Sequence, residues 1–400
     1  MSQDTPRGQR IHIGIFGPTN AGKSSLLNAL LHQQAAITSP IAGTTTDVVY
    51  RNMEIHGLGP CTLMDTPGWD DFTALQEQRL QRTKQVIDKT DIALIVMPQE
   101  EGEQDKEMKT TALEWSRKFH PNTRIIYLVN YRQTLPQHLP QHKGATVETP
   151  LRVNCNTGEG LDVLLTILKE GKSGAQATQD LTAGLTKAGD IVVLVMPQDG
   201  SAPQGRLIMP QVQTIRHLLD KGCSPLCTTP QQLTHCLQSL SSPPALIITD
   251  SQVFEQVEAL TPPTTRLTSF SILLACQKGD PVVMRHGAKQ LLSLAPDARI
   301  LIAEACSHTP QHEDIGRVKL PAMLRKKLGE NISIEIVSGN DFPADMSQYD
   351  LVIHCGACLF TRTHVMNRIA KVQEWGIPIT NYGMAIAALT GIIDKVSMPL

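Results

Sequence analysis

Two short stretches of the 400-residue chain concentrate side chains that do chemistry. Residues 17–24, G-P-T-N-A-G-K-S, fit the spacing G-x-x-x-x-G-K-S of a P-loop. There Gly17 and Gly22 let backbone wrap phosphates, and the N–H groups of Asn20, Ala21, Gly22, Lys23, Ser24 and Ser25 point inward at a helix N-terminus. Lys23 reaches the β and γ phosphates, and the Ser24 hydroxyl ligates Mg²⁺. The second stretch, H-C-G-A-C at 354–358, sets His354 beside the pair Cys355 and Cys358.

A C-x-x-C pair alone is compatible with a redox dithiol or a zinc clasp. Upstream, C-S-H at 306–308 adds Cys306 and His308. Both groups follow apolar runs that read as buried strands, "RILIAEA" at 299–305 and "DLVI" at 350–353, so both fall at the carboxyl ends of strands, where open α/β sheets bind ligands. Three soft thiolates converging there suit a [4Fe–4S] cluster whose fourth iron takes a histidine, water or an exogenous ligand. Zinc held by three cysteines and a histidine, or a redox pair without His308, are the competing readings.

Several elements must position these groups. "IHIGIFG" at 11–17 is a buried apolar strand running into the P-loop, and "SSLLNALL" continues it as a helix. "CTLMDTPG" at 61–68 is a second strand, ending where Asp65 holds the Mg²⁺ water shell and the Gly68 N–H senses the γ-phosphate. A polar stretch near 172–182 reads as a hinge. Beyond it, "DIVVLVMP" at 190–197 and "ALIITD" at 245–250 are strands, and "MPQVQTIRHLLDKG" has helical spacing with Gly222 as its stop. A unit of this small size buries little by itself, so pairing with a second copy is physically sensible.

Composition narrows the function classes. A chain of this length needs two or three cores, at roughly 100–200 residues each. Its net charge of −2 carries none of the basic surplus that bulk nucleic-acid binding requires, so no nucleic-acid partner is expected. No apolar run reaches the roughly 18–20 residues of a membrane span, and the first residues lack a signal-peptide core, so no membrane partner and a cytoplasmic location are expected. Nine cysteines in a reducing compartment are buried hydrophobes, reactive thiols or ligands rather than a disulfide framework.

The P-loop, G-T-T-x-D at 43–47 and D-T-P-G at 65–68, in that order, resemble the TrmE-Era-EngA group of GTPases. That resemblance implies binding of GTP and GDP. It makes Thr45 the switch residue that closes on Mg²⁺, puts Trp69 where other GTPases keep a catalytic glutamine, and gives Asn20 a share in a K⁺ site that stimulates hydrolysis. An indole cannot orient an attacking water as a carboxamide does, so a potassium charge at the phosphates answers an electrostatic need. Where the group carries N-K-x-D for the base, this chain has Asn130, Tyr131 and Gln133, without the carboxylate that reads guanine.

The whole chain, from P-loop to C-terminus, resembles the HydF family of [FeFe]-hydrogenase maturation GTPases. The resemblance is carried by C-x-H and H-C-x-x-C together with "GRLIMPQVQTIR" at 205–216, "DIGRVKLP" at 314–321 and "NYGMAIAALTG" at 381–391. It implies an α/β chain, a P-loop GTPase domain over 1–171 and a linker over 172–182, followed by two smaller α/β domains with parallel sheets. These are a dimerisation domain over 183–265 and a [4Fe–4S] domain over 266–400. The implied role is a GTP-hydrolysing scaffold or carrier for a diiron precursor. Its implied partners are a second copy of the chain in a homodimer, the radical-SAM maturases HydE and HydG, and apo [FeFe]-hydrogenase. An NTP-dependent iron-sulfur redox sensor and a zinc-stabilised regulatory GTPase are the alternatives.

Overall fold

In the computed structural model, residues 5–33, 48–69, 76–99, 103–131, 145–170, 180–198, 205, 207–305, 314–339 and 341–399 are described. They fall into two compact units, 1–177 and 178–400.

The first unit is built on a six-stranded sheet. Its strands are β1 (Ile11–Phe16), β2 (Val49–Ile55), β3 (Gly59–Asp65), β4 (Ile92–Met97), β5 (Arg124–Asn130) and β6 (Leu151–Val153), in the order β2-β3-β1-β4-β5-β6. All neighbours run parallel except the edge pair β2 and β3. Successive side chains of a strand point to opposite faces, and here both faces are covered. Ile92, Leu94 and Val96 enter one core, whereas Ala93, Ile95 and Met97 enter the other. This explains why β4, and β1 apart from His12, read as apolar runs. At the end of β1 the chain turns at Gly17, where a Cβ would stand 2.2 Å from the Val96 carbonyl oxygen, and enters the helix Lys23–Gln33.

The second unit holds two four-stranded parallel sheets. One has the order β10-β9-β7-β8, with β7 (Ile191–Val195), β8 (Ser224–Thr228), β9 (Leu246–Thr249) and β10 (Arg266–Ser269). The other has the order β12-β11-β13-β14, with β11 (Arg299–Glu304), β12 (Ser333–Ser338), β13 (Leu351–His354) and β14 (Ile379–Asn381). The α/β class with parallel sheets is therefore as expected. One continuous core joins the two sheets, running from Val193, Val195 and Ile247 to Ile300, Ile353 and Ile386.

Two local boundaries differ from the expected ones. Asp180 accepts hydrogen bonds from Lys221 Nζ at 2.5 Å and pairs with His217 Nε2 at 2.8 Å, so residues 180–182, expected in the hinge, are packed on the second unit. Residue 266, expected to open a third domain, instead begins β10, which pairs with β9 and leads directly into the helix Phe270–Lys278. Among the described residues, no helix is long and apolar enough to cross a membrane.

Candidate functional sites

In the first unit the phosphate loop is drawn around Lys23. Its ammonium donates to the carbonyl oxygens of Gly17 at 3.1 Å and Pro18 at 2.7 Å, which holds the loop closed over a buried cation. Asn20 takes a left-handed φ of 62°, which asparagine tolerates better than most residues, and Gly22 sits at 95°. Ala21 is buried beneath the loop, while Ser24 and Ser25 are exposed at the first turn of the helix.

Asp65, the last residue of β3, is brought to Ser24 from 41 positions away. The Ser24 hydroxyl donates to Asp65 Oδ2 at 2.6 Å. Burial pushes the Asp65 carboxyl above its usual range, and the bond from Ser24 opposes that shift. Its Oδ1 is buried without a hydrogen-bond partner among the described residues. A hydroxyl and an under-satisfied carboxylate side by side are hard oxygen donors, and they fit Mg²⁺. The Thr66 hydroxyl donates to Ile15 O at 2.7 Å, anchoring the D-T-P-G turn to β1 before Gly68 and Trp69. The Trp69 ring stacks on Trp115 with centroids 5.2 Å apart, and the Lys118 ammonium lies 3.6 Å from the Trp115 ring centre.

On the base side, Asn130 ends β5 and its Oδ1 accepts the Cys155 N–H at 3.3 Å. The T-G-E-G loop is shaped by Asn154, whose Oδ1 accepts from the N–H groups of Asn156 and Thr157. Arg152 lies over the Tyr131 ring at 5.3 Å. Thr45 and Gln133 lie outside the described residues.

In the second unit, Cys355 and Cys358 stand on the loop that leaves β13, at the carboxyl end of the third sheet. Cys306 and His308 lie outside the described residues, which resume at residue 314. Just before them, the Ala305 N–H donates to Cys355 Sγ at 3.0 Å, and the Ala357 N–H points at the same sulfur at 3.4 Å. Further along, Arg317 donates to buried Glu304 through Nη2 at 2.9 Å and Nε at 3.2 Å. Glu304 and Ala305 are thereby tied to Arg317 and to the C-x-x-C loop respectively. Backbone N–H groups aimed at a sulfur stabilise it as a thiolate, which is the form that binds soft metals, so the donors present fit an iron-sulfur cluster. Among the described residues, no group of three or more histidine, cysteine or acidic side chains forms a metal site.

His354 differs from a loop residue. It is the last residue of β13 rather than the first beyond it, and strand alternation turns its ring inward, leaving it 1% exposed. Nδ1–H donates to Cys355 O at 2.9 Å, and Nε2 lies 3.0 Å from Arg368 Nη1, a donor. Burial, and then Arg368, push its pKa down to about 3. The imidazole is neutral, with both nitrogens engaged. Arg368 also donates to Gly339 O and packs against Phe342 and Phe360, so one guanidinium joins the ends of β12 and β13.

Residues absent from the sequence-level site also converge here. The Lys278 ammonium reaches Ala357 O at 2.9 Å, Cys358 O at 3.2 Å and Phe360 O at 2.8 Å, and Arg362 Nη1 reaches Gln277 O and Gly279 O, each at 2.9 Å. Burial lowers the Lys278 pKa to about 8. Pairs 79 to 85 positions apart leave no local signal in a sequence, although a lysine inside the apolar helix "FSILLACQK" was one place to look.

Three stretches of the chain match known protein families. Residues 12–130 match the family described as 50S ribosome-binding GTPase, residues 181–279 the Hydrogen maturase F dimerization domain, and residues 282–399 the Hydrogen maturase F tetramerization domain. Among curated proteins, the mitochondrial 5-taurinomethyluridine-[tRNA] synthase subunit GTPB3 of Danio rerio is 31% identical over 183 residues, covering 41% of this chain and 36% of that protein. The tRNA modification GTPase MnmE of Methylobacterium sp. (strain 4-46) is 33% identical over 165 residues, covering 40% of this chain and 33% of that one. The chain spans about a third of the length of the curated relatives it matches. Among solved structures, the G domain of the T. maritima FeoB iron transporter aligns at 19% identity with a TM-score of 0.29, covering 41% of this chain and 99% of that one.

Proposed function

The chain belongs to the hydrogen maturase F family, and from that premise we propose that it is a GTP-hydrolysing scaffold that holds a [4Fe–4S] cluster and passes a diiron precursor to apo [FeFe]-hydrogenase. The observation that carries this reading is the Ala305 N–H bond to Cys355 Sγ at 3.0 Å. It brings Ala305, the residue before Cys306 in the sequence, to the C-x-x-C loop, and on this reading Cys306 supplies the third thiolate.

The chain's own groups divide the work. Cys306, Cys355 and Cys358 supply sulfur, and the N–H groups of Ala305 and Ala357 stabilise Cys355 as thiolate. His354, with both nitrogens engaged, fixes the loop carbonyl at Cys355 rather than ligating iron. His308 or an exogenous group then completes the coordination. When bound, the cluster supplies an iron site at which a cargo ligand exchanges.

In the first unit, Lys23 and the N–H groups of the loop bind the phosphates of GTP, while Ser24, Thr45 and the Asp65 water shell hold Mg²⁺. Asn20 shares in a K⁺ site that offsets the missing glutamine at Trp69. Nucleotide state sets contacts with the partners HydE, HydG and the hydrogenase.

Self-association uses the second sheet. Among the described residues β8 pairs with β7 alone, as an edge strand, and Val212 and Leu219 stand about half exposed on the helix Met209–Asp220. The test is anaerobic reconstitution with iron and sulfide, then incubation with a diiron source and apo-hydrogenase. Hydrogen evolution supports the carrier. A protein that binds the cluster and yet never activates the hydrogenase is not one.

A further inference from the structure

We infer that Lys278 is a positioning residue for the C-x-x-C loop, carrying a hydrogen-bonded ammonium from the helix of the second sheet to the ligand loop of the third. The inference rests on the reading of Cys355 and Cys358 as cluster ligands, but its geometric part stands without it.

An ammonium has three N–H donors, and here all three find carbonyl oxygens in one turn of chain, those of Ala357, Cys358 and Phe360. Lys278 itself is only 5% exposed. A buried ammonium survives when it is fully hydrogen-bonded, and losing such a partner leaves several carbonyls unsatisfied at once. Ala357 adopts a left-handed φ of 51°, a conformation alanine avoids, and its carbonyl is one of the three held. The strained residue lies between the two cysteines, so the clamp determines how they are presented.

The clasp is reciprocal. Arg362, in the first turn of the helix Arg362–Glu374, donates back to Gln277 and Gly279 on either side of Lys278. Cys358 meanwhile packs against the second-sheet core that contains Phe270, Leu273 and Leu274. The ligand loop is therefore partly assembled from the module that precedes it. A positive charge just behind the sulfurs favours the more negative, reduced state of a cluster held there, since net charge and hydrogen bonding set cluster potentials.

The test compares the full-length protein with Lys278→Met, which keeps length and removes charge and donors. In the cluster-free protein, amide exchange across residues 355–361 should accelerate at least tenfold; unchanged protection overturns the clamp. In the reconstituted protein, the midpoint potential of the cluster should move negative by EPR-monitored titration, a change that looser packing alone does not dictate in sign. An unchanged or more positive potential overturns the electrostatic role. If Lys278→Met does not fold, Arg362→Gln cuts the same clasp from the other side and should accelerate the same amides, and its failure to do so counts against the inference. A parent protein that takes up no iron defeats the cluster reading, while the exchange arm still decides the clamp.

Discussion

The Ser24 hydroxyl donates to Asp65 Oδ2 at 2.6 Å, so the two oxygens expected around Mg²⁺ hold each other across 41 residues of chain. Asp65→Asn keeps the shape and removes the charge. It should weaken Mg²⁺ binding by about 10–100-fold, the usual range for groups that orient a metal's shell, with a parallel loss of GTP hydrolysis. Mg²⁺ titration under saturating GTP measures it, and unchanged affinity would place the cation elsewhere.

Gly22→Ala should abolish productive nucleotide binding with the fold intact. A Cβ there would stand 2.1 Å from Asn130 Nδ2, and the φ of 95° is already hostile to side chains. Fluorescent GDP binding should fall at least about tenfold, given that a 1.4 kcal/mol loss suffices for that factor. In the parent protein, turnover should be faster in K⁺ than in Na⁺, and ATP should compete better than a site with a guanine-reading carboxylate allows. Equal rates in the two salts would remove Asn20 from the account.

What the sequence revealed and what it hid have physical causes. The P-loop, β1 and the D-T-P-G turn were legible because their chemistry is local: glycines, lysine and serine act within eight consecutive residues. The edge strand β2 was not, since its outer face is half exposed and only Met53 and Ile55 are buried. His354 was legible as a residue of interest but not in its orientation. β13 runs one residue further than its apolar letters, and that one step turns the ring from the ligand loop into the core. Arg368, Arg362 and Lys278 emerged only from the fold, because their partners are chosen by tertiary packing.

His12 gives a pH dependence to the first unit. Its ring is buried and its pKa is driven down to about 4, first by desolvation and then by Lys89. The unfolded chain binds a proton near pH 6.5 that the folded one refuses until about 4, so stability is complete above 6.5 and falls as pH drops through that window. The loss should reach about 3 kcal/mol, at 1.36 kcal/mol per pH unit. Exchange protection of the β1 amides between pH 7 and 4.5 checks it, and His12→Gln should flatten the slope.

Val212→Glu with Leu219→Glu should weaken self-association while leaving the fold unchanged. Both side chains are about half exposed on one helix that packs against β8, an edge strand among the described residues, and burying an unpaired charge at an interface costs several kcal/mol. Sedimentation should show a shift toward the monomer. An unaltered dimer would move the interface off this face.

His354→Gln should retain the iron content of the parent protein, because both of its ring nitrogens are already spent on Cys355 O and Arg368. Pulsed EPR on the reduced cluster with labelled histidine should therefore give the same nitrogen coupling, or its absence, in parent and variant. A strong coupling lost only in this variant would make His354 a ligand.

On the proposed function, three cysteines hold a cluster through which cargo reaches a hydrogenase. The direct measurement is iron content and hydrogenase activation for single Cys306→Ala, Cys355→Ala and Cys358→Ala proteins, reconstituted anaerobically beside the parent. Each variant is predicted to lose the stable [4Fe–4S] signal and the hydrogen evolution that the parent confers. Parent-like iron and parent-like activation in all three would contradict the account.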